Sequence, residues 1–181
     1  GAEVTLLDRN IERLRALEPT LPGRITTLAS NRGSVERSVA ESDLVVGAVL
    51  LPGGRAPTVV SESMVAAMRP GSVVADVAID QGGCIETARE TSHHDPVYTV
   101  HGVQHYCVGN IPGAVPVTST SALTNATLPF LVALATRGAV EACRADPVLA
   151  HGLNTEGGAV VNAVVADSLG MAAGTPRHLA A

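Results

Sequence analysis

The stretch VVADVAIDQGGCIE, residues 73–86, decides how the rest of the chain is read. Its first half is a run of small and β-branched apolar residues, the composition of a strand covered on both faces of a parallel sheet. Its second half delivers Asp80 into Gln81-Gly82-Gly83, where glycine permits a sharp turn. The spacing predicts a strand over residues 72–80 that ends on the acid. Strand parity then places Asp76 and Asp80 on one face, Asp76 deeper as a structural hydrogen-bonding partner and Asp80 at the edge where ligands bind. An acid in that position must be solvated, paired or employed.

Working outward, EVTLLD (3–8), RITTLAS (24–30) and LVVGAVLLPGG (44–54) read as further strands, the last running into a turn. Between them RNIERLRALEP, GSVERSVAESD and SESMVAAMRPG read as helices, with Asn10 and Ser61 as caps and Pro70-Gly71 as a stop. This alternation is the pattern of an α/β fold, a doubly wound parallel sheet of the Rossmann kind. After residue 80 the order loosens: residues 95–113 look extended, residues 119–138 form a long apolar helix interrupted or kinked at Pro129, and VEACRADPVLAHG and NAVVADSLG supply shorter helices. The change of character at residues 112–118 is the expected boundary, giving a partial nucleotide-binding domain over 1–116 and part of a second domain over 117–181.

Composition narrows the function. The 181 residues are 46% hydrophobic and carry a formal net charge of -5, which suits a globular domain with a small-molecule ligand and excludes a basic nucleic-acid or anionic-membrane surface. No uninterrupted apolar run is long enough to span a bilayer and no signal segment opens the chain, so a cytoplasmic location is expected. All 12 basic residues are Arg, which excludes a Lys base or Schiff base within this segment. Cys84, Cys107 and Cys143 are odd in number and far apart, the pattern of buried small hydrophobes rather than a disulfide or metal framework. The opening GAEVTLLD has no Met and reaches a strand at once, so an upstream segment is expected.

In doubly wound sheets ligands lie beyond the carboxyl ends of the strands. Asp8 ends the first strand, and an acid there can accept hydrogen bonds from both ribose hydroxyls of NAD; a cap or solvated turn predicts the same letter. Ser30 follows the second strand, and Val49 and Leu50 lie near the end of the third, where apolar side chains can flank a ring or simply pack. His101 and His105 are four apart, which in an extended segment separates them by roughly 13 Å and rules out a shared metal. His93-His94-Asp95 reads as a solvated turn.

VADVAIDQGGCIE, with ALTNATLPF at 122–130, YCVGNIPGAVP at 106–116 and VVGAVLLPGGRAP at 45–57, resembles NAD-dependent L-alanine dehydrogenase, a relative of the soluble domain of nicotinamide nucleotide transhydrogenase. The resemblance implies a Rossmann domain inserted into a catalytic domain, the chain starting just past the glycine-rich loop and first strand. It implies NAD as cofactor, L-alanine, pyruvate and ammonia as substrates and products, and a homo-oligomer, usually a hexamer. Asp8 then matches the ribose-binding acid, and Arg13, Ser30, Val49 and Leu50 match the adenosine pocket. Val77, Ala78, Ile79, Asp80, Arg89, Val108, Gly109, Asn110 and Ile111 match positions around the nicotinamide, with Asp80 the active-site aspartate. The family's histidine, lysine and substrate-binding arginine fall upstream of this chain. Some members hold a metal through a Glu and a His on the long helix; Ala133 and Arg137 stand there, so no metal is expected. Two other readings stay open, a non-catalytic remnant of the same fold and the transhydrogenase domain itself.

Overall fold

β1 (Glu3–Asp8) pairs in parallel with β2 (Arg24–Ala29), so that Asp8 stands opposite Ala29 at the end of the ladder. Helix α1 (Ile11–Leu17) connects them, and the Asn10 side chain accepts the Arg13 amide at its start. Helix α2 (Arg32–Glu41) opens with a capping box in which Asn31 and Ser34 exchange side-chain-to-backbone hydrogen bonds, satisfying donors that a helix start leaves over. The caps are local devices, and the two expected from sequence, Asn10 and Ser61, form.

β3 (Leu44–Gly47), α3 (Glu62–Ala66) and β4 (Val73–Asp76) follow, then the antiparallel hairpin β5 (Val97–Val100) and β6 (Val103–Tyr106). Their sheet has the order β3-β4-β6-β5, parallel from β3 through β6. The hairpin turns on His101 (φ 53°) and Gly102 (φ 78°), two left-handed residues in succession, the geometry that suits the strand twist. Val35, Val39, Met64, Val65, Met68, Val74 and Val103 build the core around these strands and α2 and α3. The structure, a computed structural model, describes residues 1–176 and divides into two units. The elements so far belong to the first, Gly1–Leu50 with Ala56–Gly109.

The second unit combines Leu51–Arg55 with the chain from Asn110 onward. It contains the long helix α4 (Pro116–Ala145), the short α5 (Pro147–His151) capped by Asp146, a small hairpin of β7 (Thr155–Glu156) and β8 (Ala159–Val160), and α6 (Ala163–Ser168) capped by Asn162. Gly53 and Gly54 pack within it against Val164 and Val165. The last five residues of the expected 117–181 domain lie outside the described residues.

Four sequence expectations are corrected. The strand expected over 72–80 ends at Asp76, and residues 79–81 form a 3-10 turn, so Asp76 and Asp80 are not related by strand parity. The third strand stops at Gly47, leaving Val49 and Leu50 beyond it. The long helix continues through Pro129 and breaks instead at Gly138, whose φ of 76° and ψ of 160° are open to glycine alone at little cost. Finally, α4 is long and apolar enough to cross a membrane by length and composition, which counting uninterrupted apolar runs missed because Ser, Thr and Asn punctuate it.

Candidate functional site

Asp8 and Asp80 each anchor a cluster of expected site residues in the first unit. The first lies where β1 and β2 end. Asp8 Oδ1 accepts the Asn10 amide at 2.8 Å, and Oδ2 stands 3.6 Å from the Arg13 guanidinium. Ser30 donates its amide to the Asp8 carbonyl at 3.0 Å, so Asp8, Arg13 and Ser30 are brought together. The Asp8 side chain is one-third exposed, leaving the carboxylate open to a polar ligand.

The second cluster surrounds Asp80. Asp76, at the end of β4, is fully buried, and its carboxylate collects the amides of Ala78 (3.0 Å), Cys84 (2.8 Å) and Ile85 (3.0 Å). Residues 77–85 thus form a loop closed at its foot, with Val77 exposed, Ala78 and Ile79 buried and Asp80 exposed near its far end. Gly82 (φ 94°) and Gly83 (φ 76°) make the return turn, in a backbone region costly for side chains. A methyl on Gly83 would also come within 3.0 Å of Asp76 Oδ2.

Close to the Asp80 carboxylate stands Gly109, which follows the fully buried Val108. A methyl on Gly109 would overlap Glu90 Oε1 and approach Asp80 Oδ1 to 3.3 Å, so two carboxylates crowd one face of this glycine. Glu90 was not anticipated from sequence, because the approach is made between segments 19 residues apart and only the glycine marks it. Gln81 Oε1 is buried with no hydrogen-bond partner among the described residues. Asn110 (φ 53°) and Ile111, at the start of a 3-10 turn, belong to the second unit. Val49 packs partly on the core, while Leu50 is exposed.

Arg89 is placed by a network that sequence also did not reveal. Its amide donates to Tyr98 Oη at 2.8 Å, the Tyr98 hydroxyl donates to the Thr87 carbonyl at 2.9 Å, and the Arg89 guanidinium lies 3.9 Å over the Tyr98 ring. His105, fully buried, stacks on the Tyr98 ring at 4.9 Å between centroids and bridges the Val103 carbonyl (3.0 Å) and the Thr87 hydroxyl (2.8 Å). Since a carbonyl only accepts, Nδ1 carries the proton and Nε2 accepts from Thr87. Burial lowers the His105 pKa, favouring this neutral form. Burial pushes Tyr98 up to about 12; burial and then the Asp76 charge push Cys84 up to about 11, and burial also raises Cys107. Among the described residues no three His, Cys, Asp or Glu side chains gather as metal ligands.

These features define an α/β domain with parallel sheets that presents acids and glycines beyond its strand ends. Residues 1–163 match the family described as alanine dehydrogenase/PNT, C-terminal domain. The chain is 52% identical over 171 residues to an alanine dehydrogenase from Halomonas elongata, covering 94% of this chain and 46% of that protein. It is 51% identical over 171 residues to the alanine dehydrogenase of Mycobacterium tuberculosis, with the same coverage of both. A solved L-alanine dehydrogenase superposes with a TM-score of 0.78 at 50% identity, over 94% of this chain and 47% of that one. The chain belongs to the alanine dehydrogenase/PNT C-terminal domain family, whose members use NAD(P), and it spans about half the length of the relatives it matches.

Proposed function

We propose that this chain is the cofactor-binding part of an NAD-dependent L-alanine dehydrogenase and carries its active-site aspartate, Asp80. The observation that carries the reading is the D-x-A-I-D-Q-G-G loop, folded so that Asp80 projects beside Gly109 in a chain about half identical to alanine dehydrogenases. The overall reaction converts L-alanine, NAD⁺ and water to pyruvate, ammonium, NADH and a proton. In this reading the first unit is a Rossmann sheet whose first strand, supplied by an upstream segment, pairs between β1 and β3. Residues 117–181 return to the catalytic domain, the enzyme is a cytoplasmic homo-oligomer of the hexameric kind, and α4 packs on protein rather than lipid.

The residues present fit the cofactor. Asp8 offers an open carboxylate to the ribose hydroxyls, with Ser30 and Arg13 beside it and Val49 and Leu50 as apolar lining. Val77, Ala78, Ile79, Arg89, Val108 and Gly109 would line the nicotinamide side. The buried, unpartnered Gln81 Oε1 leaves this edge one donor short, which suits a hydrogen-bonding ligand. When bound, NAD supplies the hydride acceptor.

The protein's part is electrostatic and positional. Asp80, as a carboxylate beside the bound substrate, orients the amine or the water that attacks the imine and stabilises the positive charge that develops as hydride leaves the α-carbon. Glu90, crowding the same glycine, adds to the negative field there. In the full-length protein Asp80→Asn should lower alanine oxidation by about 10² or more with NADH affinity within a few-fold, the size typical of such roles. Wild-type turnover in that variant would remove Asp80 from the chemistry.

A further inference from the structure

We infer that Asp76 is a positioning residue for Asp80: its buried carboxylate ties both stems of the 77–85 loop together and thereby sets where the Asp80 carboxylate stands. The inference rests on the proposed role of Asp80 and extends it to a residue that does not reach substrate.

Beyond Val77 the sheet no longer supplies acceptors, and every buried amide must find one elsewhere. Asp76 supplies them for both sides of the loop. Oδ1 takes the Ala78 amide on the outgoing stem, and Oδ2 takes those of Cys84 and Ile85 on the returning stem. The Cys84 thiol adds a weak contact to Oδ1 at 3.6 Å. Within the loop, Gln81 and Gly83 donate their amides to the Ala78 carbonyl and Gly82 donates to that of Ile79, so the turn bearing Asp80 is referenced to Ala78, which Asp76 holds. Val77 is anchored to the Gly47 carbonyl at 2.8 Å. A fully buried carboxylate is expensive unless such donors surround it, and three converging amides offset that cost. A neutral hydrogen-bonding side chain cannot replace it. Asn has one acceptor oxygen and an NH2 that would face an amide donor, so either Ala78 or the Cys84–Ile85 pair is released.

The geometry separates positioning from mere stability by a cycle. A loop foot that acts through Asp80 matters to turnover only while Asp80 is there to be placed. In the full-length protein, Asp76→Asn should lower kcat for alanine oxidation at least about 10-fold while NADH affinity changes no more than about 3-fold, since misplacement of a catalytic group by an ångström costs rate heavily. Introduced into Asp80→Asn, the same change should lower the residual rate by less than about 2-fold, because residues acting as one unit are non-additive. If Asp76→Asn does not accumulate as folded protein, Asp76→Glu, which keeps a charged acceptor but displaces it by a methylene, is read through the same cycle with the same expectation. Undiminished kcat in the single variant, or an equal loss with and without Asp80, would overturn the inference. Wild-type turnover in Asp80→Asn alone would instead mark failure of the Asp80 reading, on which this one depends.

Discussion

Removing the Asp8 carboxylate should open the protein to the phosphorylated cofactor. In the full-length enzyme, Asp8→Ala leaves the helix start intact, because Asn10 caps α1 through its own side chain at 3.0 Å and only the exposed Asn10 amide loses an acceptor, to water. Two terms change. A carboxylate accepting ribose hydroxyls contributes about 1.5–3 kcal/mol to NAD binding, as hydrogen bonds to charged groups do. A phosphate charge about 5 Å from that carboxylate meets roughly 1 kcal/mol of repulsion in a water-like medium and about 3 kcal/mol at an effective dielectric of 20. With the Asp8 side chain 33% exposed, the lower figure applies. The change also frees the Arg13 guanidinium, now 3.6 Å from Asp8, to meet the phosphate. Together these shift the NAD-to-NADP preference by about 3 kcal/mol, or about 10²-fold. The assay is kcat/KM with each cofactor at fixed ionic strength, and raising salt should narrow the preference of the unmutated enzyme by screening. Equal use of NADP by the unmutated enzyme, or an unchanged ratio in Asp8→Ala, would refute the reasoning.

Three further outcomes follow from buried groups. Gly47→Ala places a methyl 2.5 Å from Cys84 Sγ and 3.4 Å from the Ile85 side chain, so overpacking should cost about 1–3 kcal/mol, and Cys84→Ala in the same chain should restore much of the lost Tm. An unchanged Tm in the single variant, or no recovery in the double, contradicts that packing. Cys84 and Cys107, buried and pushed up in pKa, should resist thiol reagents at pH 8 until the protein unfolds; rapid labelling of either in the native enzyme would show the foot of the loop to be open. The folded pKa of His105 lies below its unfolded value near 6.5, so the unfolded chain takes up the proton first: this contribution to stability is complete above about pH 6.5 and is lost as pH falls toward the folded value. The stability gap between wild type and His105→Asn should therefore shrink below pH 6.5, and a gap independent of pH would place His105 in contact with water.

What the sequence discloses is what neighbours in the chain determine. The Asn10 and Ser61 caps, the alternation of strand and helix through residue 76, and Asp8 at a strand end are local signals, and they form as read. The end of β4 is different. VVADVAID is strand-like throughout, but after Val77 the Asp76 carboxylate, not a neighbouring strand, takes the Ala78 amide, and the ladder stops there. Pro129 looked like the break in α4 because proline removes a helical donor, yet one lost hydrogen bond is tolerated in a helix this long, whereas Gly138 can adopt a left-handed angle and does. Glu90 against Gly109, and Thr87, Tyr98 and His105 around Arg89, are tertiary meetings that no spacing encodes.

Those meetings share a physical logic. The residues proposed to meet cofactor and substrate lie past the ends of strands, where loops are normally loose because the backbone has lost its ladder. In this chain the two loops nearest the proposed chemistry are given side-chain acceptors in place of the ladder: Asp76 for residues 77–85, and the Tyr98 hydroxyl for the Arg89 amide, with His105 holding Thr87. The supporting groups are themselves fixed, Asp76 by full burial among amides and His105 by a single tautomer bridging two partners. A charged group held this way needs little reorganisation when charge develops beside it, which is the condition under which a carboxylate stabilises a transition state more than it stabilises the bound substrate. Two of the buried polar groups, Asp76 and His105, thus support the loops nearest the proposed chemistry, and Gly109, lacking a side chain, lets the Asp80 and Glu90 carboxylates approach the same point.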